Sequence, residues 1–207
     1  MRGTGGFDID QPYAKWAAFG SGAKNSGDLG ENNPVADYEI GSMGDYLEWG
    51  YFTIPDTFEV EGVLYSVDNR GYWIQGENTP SMSGFSGTSS YSGCAYGTYW
   101  SSGSGIDMTG TFSCLVNFGT SAISEFCVDV KSNDQSTEAS ISSASGSIAS
   151  DATFQITGGT WDLNGVTPDQ TMCYGSLYGS SADAISGAWG MYSSSANTGA
   201  SGIFEGQ

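Results

Sequence analysis

The chain has 207 residues, of which 38% are hydrophobic and 14% aromatic, so it has the material for a folded core. Its 23 acidic residues outnumber 5 basic ones, which gives a formal net charge of -18. Such a surface repels phosphate backbones and anionic lipid, which argues against nucleic acid and membrane-surface partners. It suits a soluble protein in a salty medium, or one that collects cations or basic partners. No apolar run reaches the ~20 residues of a membrane-spanning helix, so no transmembrane segment is predicted.

The first forty residues are predicted to form a largely irregular N-terminal arm, 1–40. Within it only Pro12–Gly20, PYAKWAAFG, has local helical character. A small antiparallel β subdomain is predicted over 41–80, because runs rich in aromatic and β-branched residues alternate with turns there. The runs are Leu47–Ile54, Thr57–Val67 and Gly71–Glu77.

Four aromatic residues of this subdomain are candidates for ligand binding: Trp49, Tyr51, Tyr72 and Trp73. Exposed together on one concave face, they would form a binding surface. The alternative is ordinary packing of the small sheet.

From 86 to 207 the spacing of strand candidates becomes regular, and the connectors carry turn residues. Connectors this short join antiparallel neighbours and cannot make parallel crossovers. The pattern predicts an eight-stranded antiparallel up-and-down β-barrel, with an open sandwich as the alternative. The strands are Ser90–Trp100, Thr109–Phe118, Ala122–Lys131, Glu138–Ala149, Ala152–Asp162, Gln170–Gly179, Ala184–Tyr192 and Gly199–Gly206.

The final strand, Gly199–Gly206, is predicted to pair with the first and so to remove both sheet edges. Phe204 would then be a buried core residue, with the strand hydrogen-bonded on both sides. Gly202 and Gly206 would be small so that neighbouring strands and bulky groups such as Trp189 can pack over them.

The four cysteines are predicted to form two disulfides in an oxidising compartment, with free buried thiols as the alternative. Cys94 and Cys114 lie symmetrically about the turn SSGSGID, which pairs them across the first hairpin and leaves Cys127 with Cys173. Cys114–Cys127 is the competing local pair. No C-x-x-C pair and no histidine occur, which argues against a zinc site.

No catalytic centre and no resident cofactor are predicted. Without histidine, serine–histidine and cysteine–histidine pairs are impossible. The carboxylates Glu48, Glu59, Glu61 and Glu77 fit a solvated strand face better than a glycosidase pair. Structural calcium is a minor possibility at three oxygen-rich turns, although none has the spacing of a dedicated calcium loop. These turns contain Asp8 and Asp10, Asp68–Asn69, and Asp162 with Asn164–Gly165.

Glycine and aromatic residues recur at characteristic spacings through the barrel region. They are Tyr91, Gly93, Ala95 and Gly97; Gly110, Thr111, Phe112, Val116, Phe118 and Gly119; Leu177, Tyr178, Gly179, Ala182 and Gly187; and Phe204 and Gly206. With these residues the chain resembles, over roughly 47–207, transferrin-binding-protein-B-like domains, as found in proteobacterial surface lipoproteins and appended to FecR-type envelope proteins. Ser180 stands where that family usually has proline, and Ala184 and Trp189 replace an acidic and an aromatic residue.

The resemblance implies a surface or periplasmic β-barrel that binds a partner; in the best-known members the partner is a host iron-carrier protein. The leading hypothesis is therefore a non-enzymatic binding module, secreted or located at the bacterial cell surface or periplasm. The alternative is a structural subunit of an extracellular fibre or surface matrix, which self-associates through its N-terminal arm. Haem held by an axial histidine is excluded, since the chain has none.

Overall fold

The structure, a computed structural model, describes residues 17–20, 36–53, 57–60, 63–66, 70–101 and 104–207. Every regular element in these residues is a β-strand, and none of them belongs to a helix that could cross a membrane. The strands are β1 (Ala17–Gly20), β2 (Ala36–Met43), β3 (Leu47–Thr53), β4 (Thr57–Val60), β5 (Val63–Ser66), β6 (Arg70–Gly76), β7 (Thr88–Ser101), β8 (Ser104–Asn117), β9 (Ala122–Ser132), β10 (Glu138–Ile148), β11 (Thr153–Ile156), β12 (Thr160–Leu163), β13 (Gln170–Tyr178), β14 (Ala184–Ser193) and β15 (Thr198–Gly206).

The strands from β7 onward close into one antiparallel barrel with eight strand positions, the fifth of which contains β11 and β12. The ladder runs from β7 through β8 and β9 to β10, then through β11 to β13, β14 and β15. β15 pairs with β7 along its whole length, from Thr198 opposite Ser101 to Gly206 opposite Gly93. The predicted all-β barrel and its closure by the last strand are confirmed, and the open sandwich is wrong.

The predicted fifth strand, Ala152–Asp162, is two shorter strands in the structure. β11 lies between β10 and β13, whereas β12 pairs with β10 alone. The break includes Gly159, whose φ of 94° is one that L side chains rarely adopt. A Cβ at Gly159 would lie 2.5 Å from the Ala144 Cβ on β10. Glycine therefore lets the chain turn tightly against β10, and the ladder between β11 and β13 does not continue into β12.

Aromatic rings fill the centre of the barrel. The Phe204 ring lies 4.5 Å from that of Phe112, 5.2 Å from Phe126 and 6.3 Å from Phe154, between centroids. Phe204 is fully buried and β15 is paired on both sides, as predicted. Aliphatic side chains from all eight strand positions surround these rings, so the described interior is a packed core.

A four-stranded sheet precedes the barrel in the order β1-β6-β3-β2, and β4 and β5 form a separate hairpin. β2, β3 and β6 form an antiparallel sheet, as expected of this region, while β1 runs parallel to β6. β2 begins within the predicted irregular arm, and the predicted run Thr57–Val67 lies outside this sheet, where it contains β4 and β5. The helical character predicted for Pro12–Gly20 is wrong for Ala17–Gly20, its described end. A helix of two turns is marginal in water, whereas pairing with β6 satisfies the backbone of these residues along one edge. The rest of that run lies outside the described residues.

The domain boundaries at 1–40, 41–80 and 86–207 stay predictions. Much of the arm lies outside the described residues, and Ala36 already belongs to β2. Between β6 and β7 the chain is tied to the barrel by backbone hydrogen bonds. The Thr79 N–H donates to the Leu177 carbonyl at 2.8 Å, and the Gly179 N–H donates to the Glu77 carbonyl at 3.0 Å. These bonds fasten the end of β6 to the end of β13.

One face of the small sheet packs on the outside of the barrel. Side chains alternate along a strand, so Ile203 faces outward where its neighbour Phe204 faces in. The sheet covers Ile203, and β14 and β15 are consequently buried on both faces. The Tyr72 hydroxyl and the Thr98 Oγ1 are hydrogen-bonded at 3.2 Å across the interface. The buried residues of this interface are Leu47, Trp49, Tyr72, Ile74, Tyr178, Ala184 and Ile203.

Candidate functional site

The four predicted ligand-binding aromatics lie side by side on β3 and β6. Trp49 is opposite Ile74, and Tyr51 is opposite Tyr72. Trp49 and Tyr72 are 6% and 4% exposed and belong to the interface with the barrel, and Tyr51 is half-buried against the same cluster. Three of the four thus face the barrel, where packed side chains surround them.

Trp73 is the member of the four that faces away from the barrel. It follows Tyr72 in β6, and successive side chains of a strand point to opposite faces. It is half-buried and lies opposite Gly50 of β3. The ligand-binding role of the four stays a prediction, and the geometry keeps Trp73 on the outer face of the small sheet.

A buried carboxylate lies on the outer side of the barrel wall. Glu205 of β15 is 5% exposed, and its Oε1 accepts a hydrogen bond from the Cys94 backbone N–H at 3.3 Å. Burial raises the pKa of Glu205 above the ordinary 4.5, although that hydrogen bond opposes the shift. The nearby Tyr96 has its pKa raised to about 12, first by burial and then by the charges and the hydrogen bond of its neighbours. Among the described residues no lysine or arginine forms an ion pair with Glu205, so its carboxyl holds a proton more readily than a surface carboxyl does.

The predicted disulfides are wrong, because all four cysteines are free thiols. The register of β7 and β8 sets Cys94 opposite Thr111 and Cys114 opposite Tyr91. Cys94 is exposed, whereas Cys114 is buried inside the barrel. A register offset by an odd number of residues puts two side chains on opposite faces of the sheet, where no disulfide can join them.

The second predicted pair, Cys127 with Cys173, is also divided between two faces. Cys127 is half-exposed on β9 beside the buried Phe126 and Val128, so it points outward. Cys173 is buried inside the barrel, where burial raises its pKa well above the ordinary thiol value. Burial likewise raises the pKa of Cys114 to about 12. The two interior thiols therefore stay protonated and behave as small hydrophobic side chains.

Several surface carboxylates have lowered pKa values because they accept hydrogen bonds within turns. The Asp134 Oδ1 accepts from the Ser132 hydroxyl at 2.6 Å and from the Ser136 N–H at 3.1 Å, which lowers its pKa to about 2. Asp169 accepts from the hydroxyl and the backbone N–H of Ser194, and its pKa is also lowered. These carboxylates hold loops at the barrel ends in place.

The calcium candidate at Asp162 is a hairpin turn in the structure. Its Oδ1 accepts a hydrogen bond from the Gly165 N–H at 2.9 Å. Asn164 and Gly165 have φ values of 53° and 80°, the positive φ angles expected of this turn. Within the described part of the chain, no three metal-ligating residues form a cluster. The other two candidate turns, at 8–10 and 68–69, lie outside the described residues.

A second aromatic group lies on the outer face near the hairpin that joins β7 and β8. The Trp100 and Tyr192 rings stack at 5.4 Å between centroids, inclined by 24°. Gly199 lies opposite both residues, and a Cβ there would come within 2.1 Å of the Trp100 ring. Glycine thus lets the indole lie across β15. On the same hairpin Ile106 is 40% exposed.

The prediction from sequence did not single out Glu205, Trp100 or Tyr192. A signal for Glu205 is present, since it is an acidic residue within a strand predicted to pair on both sides. The signal for the aromatic pair is Gly199, which the closing register places between the two rings.

No protein-family profile matches the chain, and no curated protein matches its sequence. Among solved structures, a double mutant of the vaccine antigen transferrin-binding protein B from Haemophilus parasuis Hp5 matches with a TM-score of 0.55 at 15% identity, over 84% of this chain and 34% of that one. The intact Ap-TbpB, with N and C lobes, matches with a TM-score of 0.54 at 14% identity, over 86% of this chain and 37% of that one.

These similarities establish the fold, because identity is too low to show more. The chain has a transferrin-binding-protein-B-like barrel fold, as the glycine and aromatic punctuation of its sequence predicted. It spans about a third of the length of the structures it matches.

Proposed function

We propose that this chain is a non-enzymatic binding module of a bacterial surface and that it recognises a protein partner. The observation that carries the proposal is the barrel fold, which 84% of this chain shares with a transferrin-binding protein B at a TM-score of 0.55. That protein's name states that it binds transferrin, and its fold supports the same class of activity here.

The packed barrel interior directs binding to the outside of the molecule. Phenylalanine rings and aliphatic side chains occupy the space that a ligand-holding barrel leaves open. The small sheet occupies the outer face of β14 and β15. The partner surface therefore belongs to the remaining outer wall, to the loops at the barrel ends, or to the outer face of the small sheet with Trp73.

Charge favours a partner with a basic surface. The chain carries a net charge of -18, and from Thr88 to Gln207 Lys131 is the one basic residue. Lys131 is already paired with Glu138 at 3.2 Å. Complementary charge accelerates encounter and makes binding sensitive to salt.

The chemistry of the chain supports binding over catalysis. The sequence contains no histidine, which removes the usual general base. The carboxylates with shifted pKa values are either hydrogen-bonded in turns, as Asp134 is, or buried beside the ladder, as Glu205 is.

Biolayer interferometry of the immobilised chain tests this function, with transferrin as the first defined probe and a panel of purified extracellular proteins as the second. We expect saturable binding to one protein, with an association rate that falls as salt rises. The heat-unfolded chain is the control and should not bind. Absence of saturable binding across the panel, with hydrolase turnover that one carboxylate substitution abolishes, would contradict the proposal.

The fibre hypothesis has one supporting observation. Ala17–Gly20 adds to the edge of the small sheet by parallel pairing with Tyr72–Gln75, far from it in sequence. A strand attached in this way can pair with a neighbouring copy instead. Electron microscopy and light scattering of the purified chain distinguish the two functions: filaments favour the fibre subunit, and a monodisperse monomer favours the binding module.

A further inference from the structure

Among the described residues of the barrel wall, one interval has no ladder, and we call it the seam. It lies between Thr160–Leu163 of β12 and Gln170–Cys173 of β13. C-terminal to this interval, β13 pairs with β11, from Thr153 opposite Ser176 to Gln155 opposite Tyr174. β12 pairs only with β10, and Gln170–Cys173 pair only with β14. Some Cα atoms of β12 also lie within 8 Å of β14.

Burial shows that the seam opens to the surface. Trp161 lies opposite Ile141 and Thr171 lies opposite Met191, and both partners are fully buried in the interior. Trp161 and Thr171 therefore point to the inner face, yet Trp161 is only half-buried and Thr171 is exposed. Elsewhere in the middle of the wall, inward-facing residues are buried. The inner face is thus accessible at the seam, with the Trp161 side chain beside it.

The edges of the seam lack the usual protection against strand addition. Natural edge strands carry lysine, proline or bulges that prevent pairing with another chain. Neither TWDL at 160–163 nor QTMC at 170–173 contains lysine or proline, and their pairing with β10 and β14 is regular. A regular edge with backbone groups directed outward is the surface to which extended peptides add.

Two carboxylates at the seam favour a partner segment of positive charge. Asp162 is on β12, and Asp169 immediately precedes β13. Asp169 is held by Ser194, and the nearest basic residue in sequence, Lys131, is paired with Glu138. A second copy of this chain would bring a net charge of -18 to the same place, which repels. The seam therefore fits a positively charged segment of another protein.

We propose that the seam is the partner-recognition site, and that an extended, basic segment of the partner protein binds there as an added strand along Gln170–Cys173. This inference rests on the proposed binding function and names the surface that performs it. Backbone hydrogen bonds supply the affinity, Asp162 and Asp169 select basic side chains, and Trp161 packs against an apolar side chain that alternates with them.

The first test uses a seven-residue peptide that alternates lysine and valine, titrated into the uniformly ¹⁵N-labelled full chain. We expect the amide signals of residues 160–163 and 170–173 to shift and the amides of β13 to gain protection from hydrogen exchange. The matched control is the same peptide with alternate backbone nitrogens methylated, which keeps the charge and removes donors. It should bind at least tenfold more weakly. Shifts spread over the acidic surface and insensitive to methylation would overturn strand addition.

The second test substitutes the carboxylates. Asp162→Asn with Asp169→Asn should weaken the peptide roughly threefold to tenfold, as two exposed ion pairs are lost. Asp129→Asn, an exposed carboxylate on β9, is the matched control and should leave binding unchanged. Sedimentation that shows self-association through the seam would identify a second copy as the occupant and overturn the proposal.

Binding of the protein partner found by interferometry distinguishes failure of the seam proposal from failure of the proposed binding function. If the Asp162→Asn, Asp169→Asn chain binds that partner as tightly as the wild type, the seam is not the recognition site, although the binding function stands. If the wild-type chain binds the lysine–valine peptide at the seam but no protein in the panel, the binding function loses its support and the strand-addition surface remains. Loss of both would overturn both.

Discussion

Phe204 links the closing strand to the centre of the core, since its ring contacts phenylalanines from three other strands. Replacing Phe204 with alanine should destabilise the chain by about 3–5 kcal/mol, because it removes a fully buried ring and leaves a cavity. Urea unfolding followed by tryptophan fluorescence measures this free energy.

Phe204→Leu is the matched control, because it keeps most of the apolar volume and should cost clearly less. A loss below about 1 kcal/mol for Phe204→Ala would mean that the ring is not packed as the structure shows.

Glu205 is expected to make stability depend on pH in the sense opposite to most carboxyls. Its pKa is raised in the folded chain, so its contribution is fully present below the unfolded value near 4.5 and is lost as pH rises through the folded value. Glu205→Gln should therefore raise the melting temperature at pH 7, and leave it nearly unchanged at pH 4, where the native carboxyl is protonated.

Asp169 provides the contrasting control. Its pKa is lowered by hydrogen bonds from Ser194, so its stabilisation is present at neutral pH and is lost as pH falls through the folded value. Asp169→Asn should thus lower the melting temperature at pH 7 rather than raise it. Equal pH profiles for Glu205→Gln and the wild type would contradict the buried carboxylate.

For single residues, the closing strand predicted the burial of Phe204 correctly, whereas symmetry about a turn predicted the cysteine pairs wrongly. Phe204 was predictable because Gly202 and Gly206 share its face in a strand that had to close the barrel. The Cys94–Cys114 pair depended on the exact register of one hairpin. The register pairs Ser101 with Ser104, so both strands extend into the run SSGSGID, and an odd offset reverses the face.

Among the elements, the pairing of β15 with β7 depends on glycine. A Cβ on Gly202 would lie 1.8 Å from the Tyr96 carbonyl oxygen, which is backbone and cannot move independently. Trp189 packs over Gly97 instead, where a Cβ would meet the indole at 2.5 Å. Glycine therefore serves two purposes where β15 pairs with β7. Gly202 lets the two backbones approach closely, and Gly97 leaves room for the Trp189 indole.

Gly202→Ala should accordingly cost about 1–3 kcal/mol or prevent folding. Gly190→Ala, on the adjacent strand, is the matched control: its Cβ would lie 3.3 Å from the flexible Met172 side chain and at an ordinary 3.8 Å from the Ala200 carbonyl oxygen. It should stay within about 1 kcal/mol of the wild type. Thermal unfolding of both variants compares them, and equal melting temperatures would argue against the close approach of β15 to β7.

Deleting 198–207 should cause aggregation, because it exposes the edges of β7 and β14 together with the core around Phe112. Removing Gln207 alone is the control; it loses the two backbone bonds to Ser92 and should leave the chain soluble. Light scattering after expression distinguishes the outcomes. A soluble truncation with an unchanged melting temperature would show that closure by β15 is dispensable.

Strand positions were largely predictable because short turns and period-two alternation indicate each barrel strand. The predicted fifth strand was the exception. Gly159 reads as an ordinary member of a strand, and only its contact with Ala144 on β10 shows why the chain must turn there. Long-range contacts of this kind leave no local signal in one sequence.

For the whole molecule, charge is expected to set a salt-dependent stability. Self-repulsion at a net charge of -18 destabilises the compact state, and salt screens it over about 8 Å at physiological strength. The melting temperature at pH 7 should rise between 10 and 500 mM sodium chloride on the order of several degrees. At pH 4, where many carboxyls are protonated, the rise should be much smaller. A flat response at pH 7 would contradict destabilisation by charge.

The docking of the small sheet on the barrel was not predicted, although β14 held a clue. Its sequence AISGAWGMYS is apolar at positions of both parities, and a strand that is apolar on both faces is buried on both. The sequence cannot say what covers the outer face, because any apolar surface of matching shape would do so.

The pairing of β7 with β15 also constrains how the chain reaches its native state. A growing chain completes β7 first and must keep that strand unpaired on one side until Thr198–Gly206 is made. Closure joins residues far apart in sequence, so the edge of β7 stays open for the several seconds that synthesis of the intervening chain takes at about 5–20 residues per second. During that interval the open edges of β7 and of the latest strand are exposed to other chains. Synthesis from the N-terminus thus gives the nascent protein a period in which other chains can pair with its open edges, and that period ends when the last strand is made.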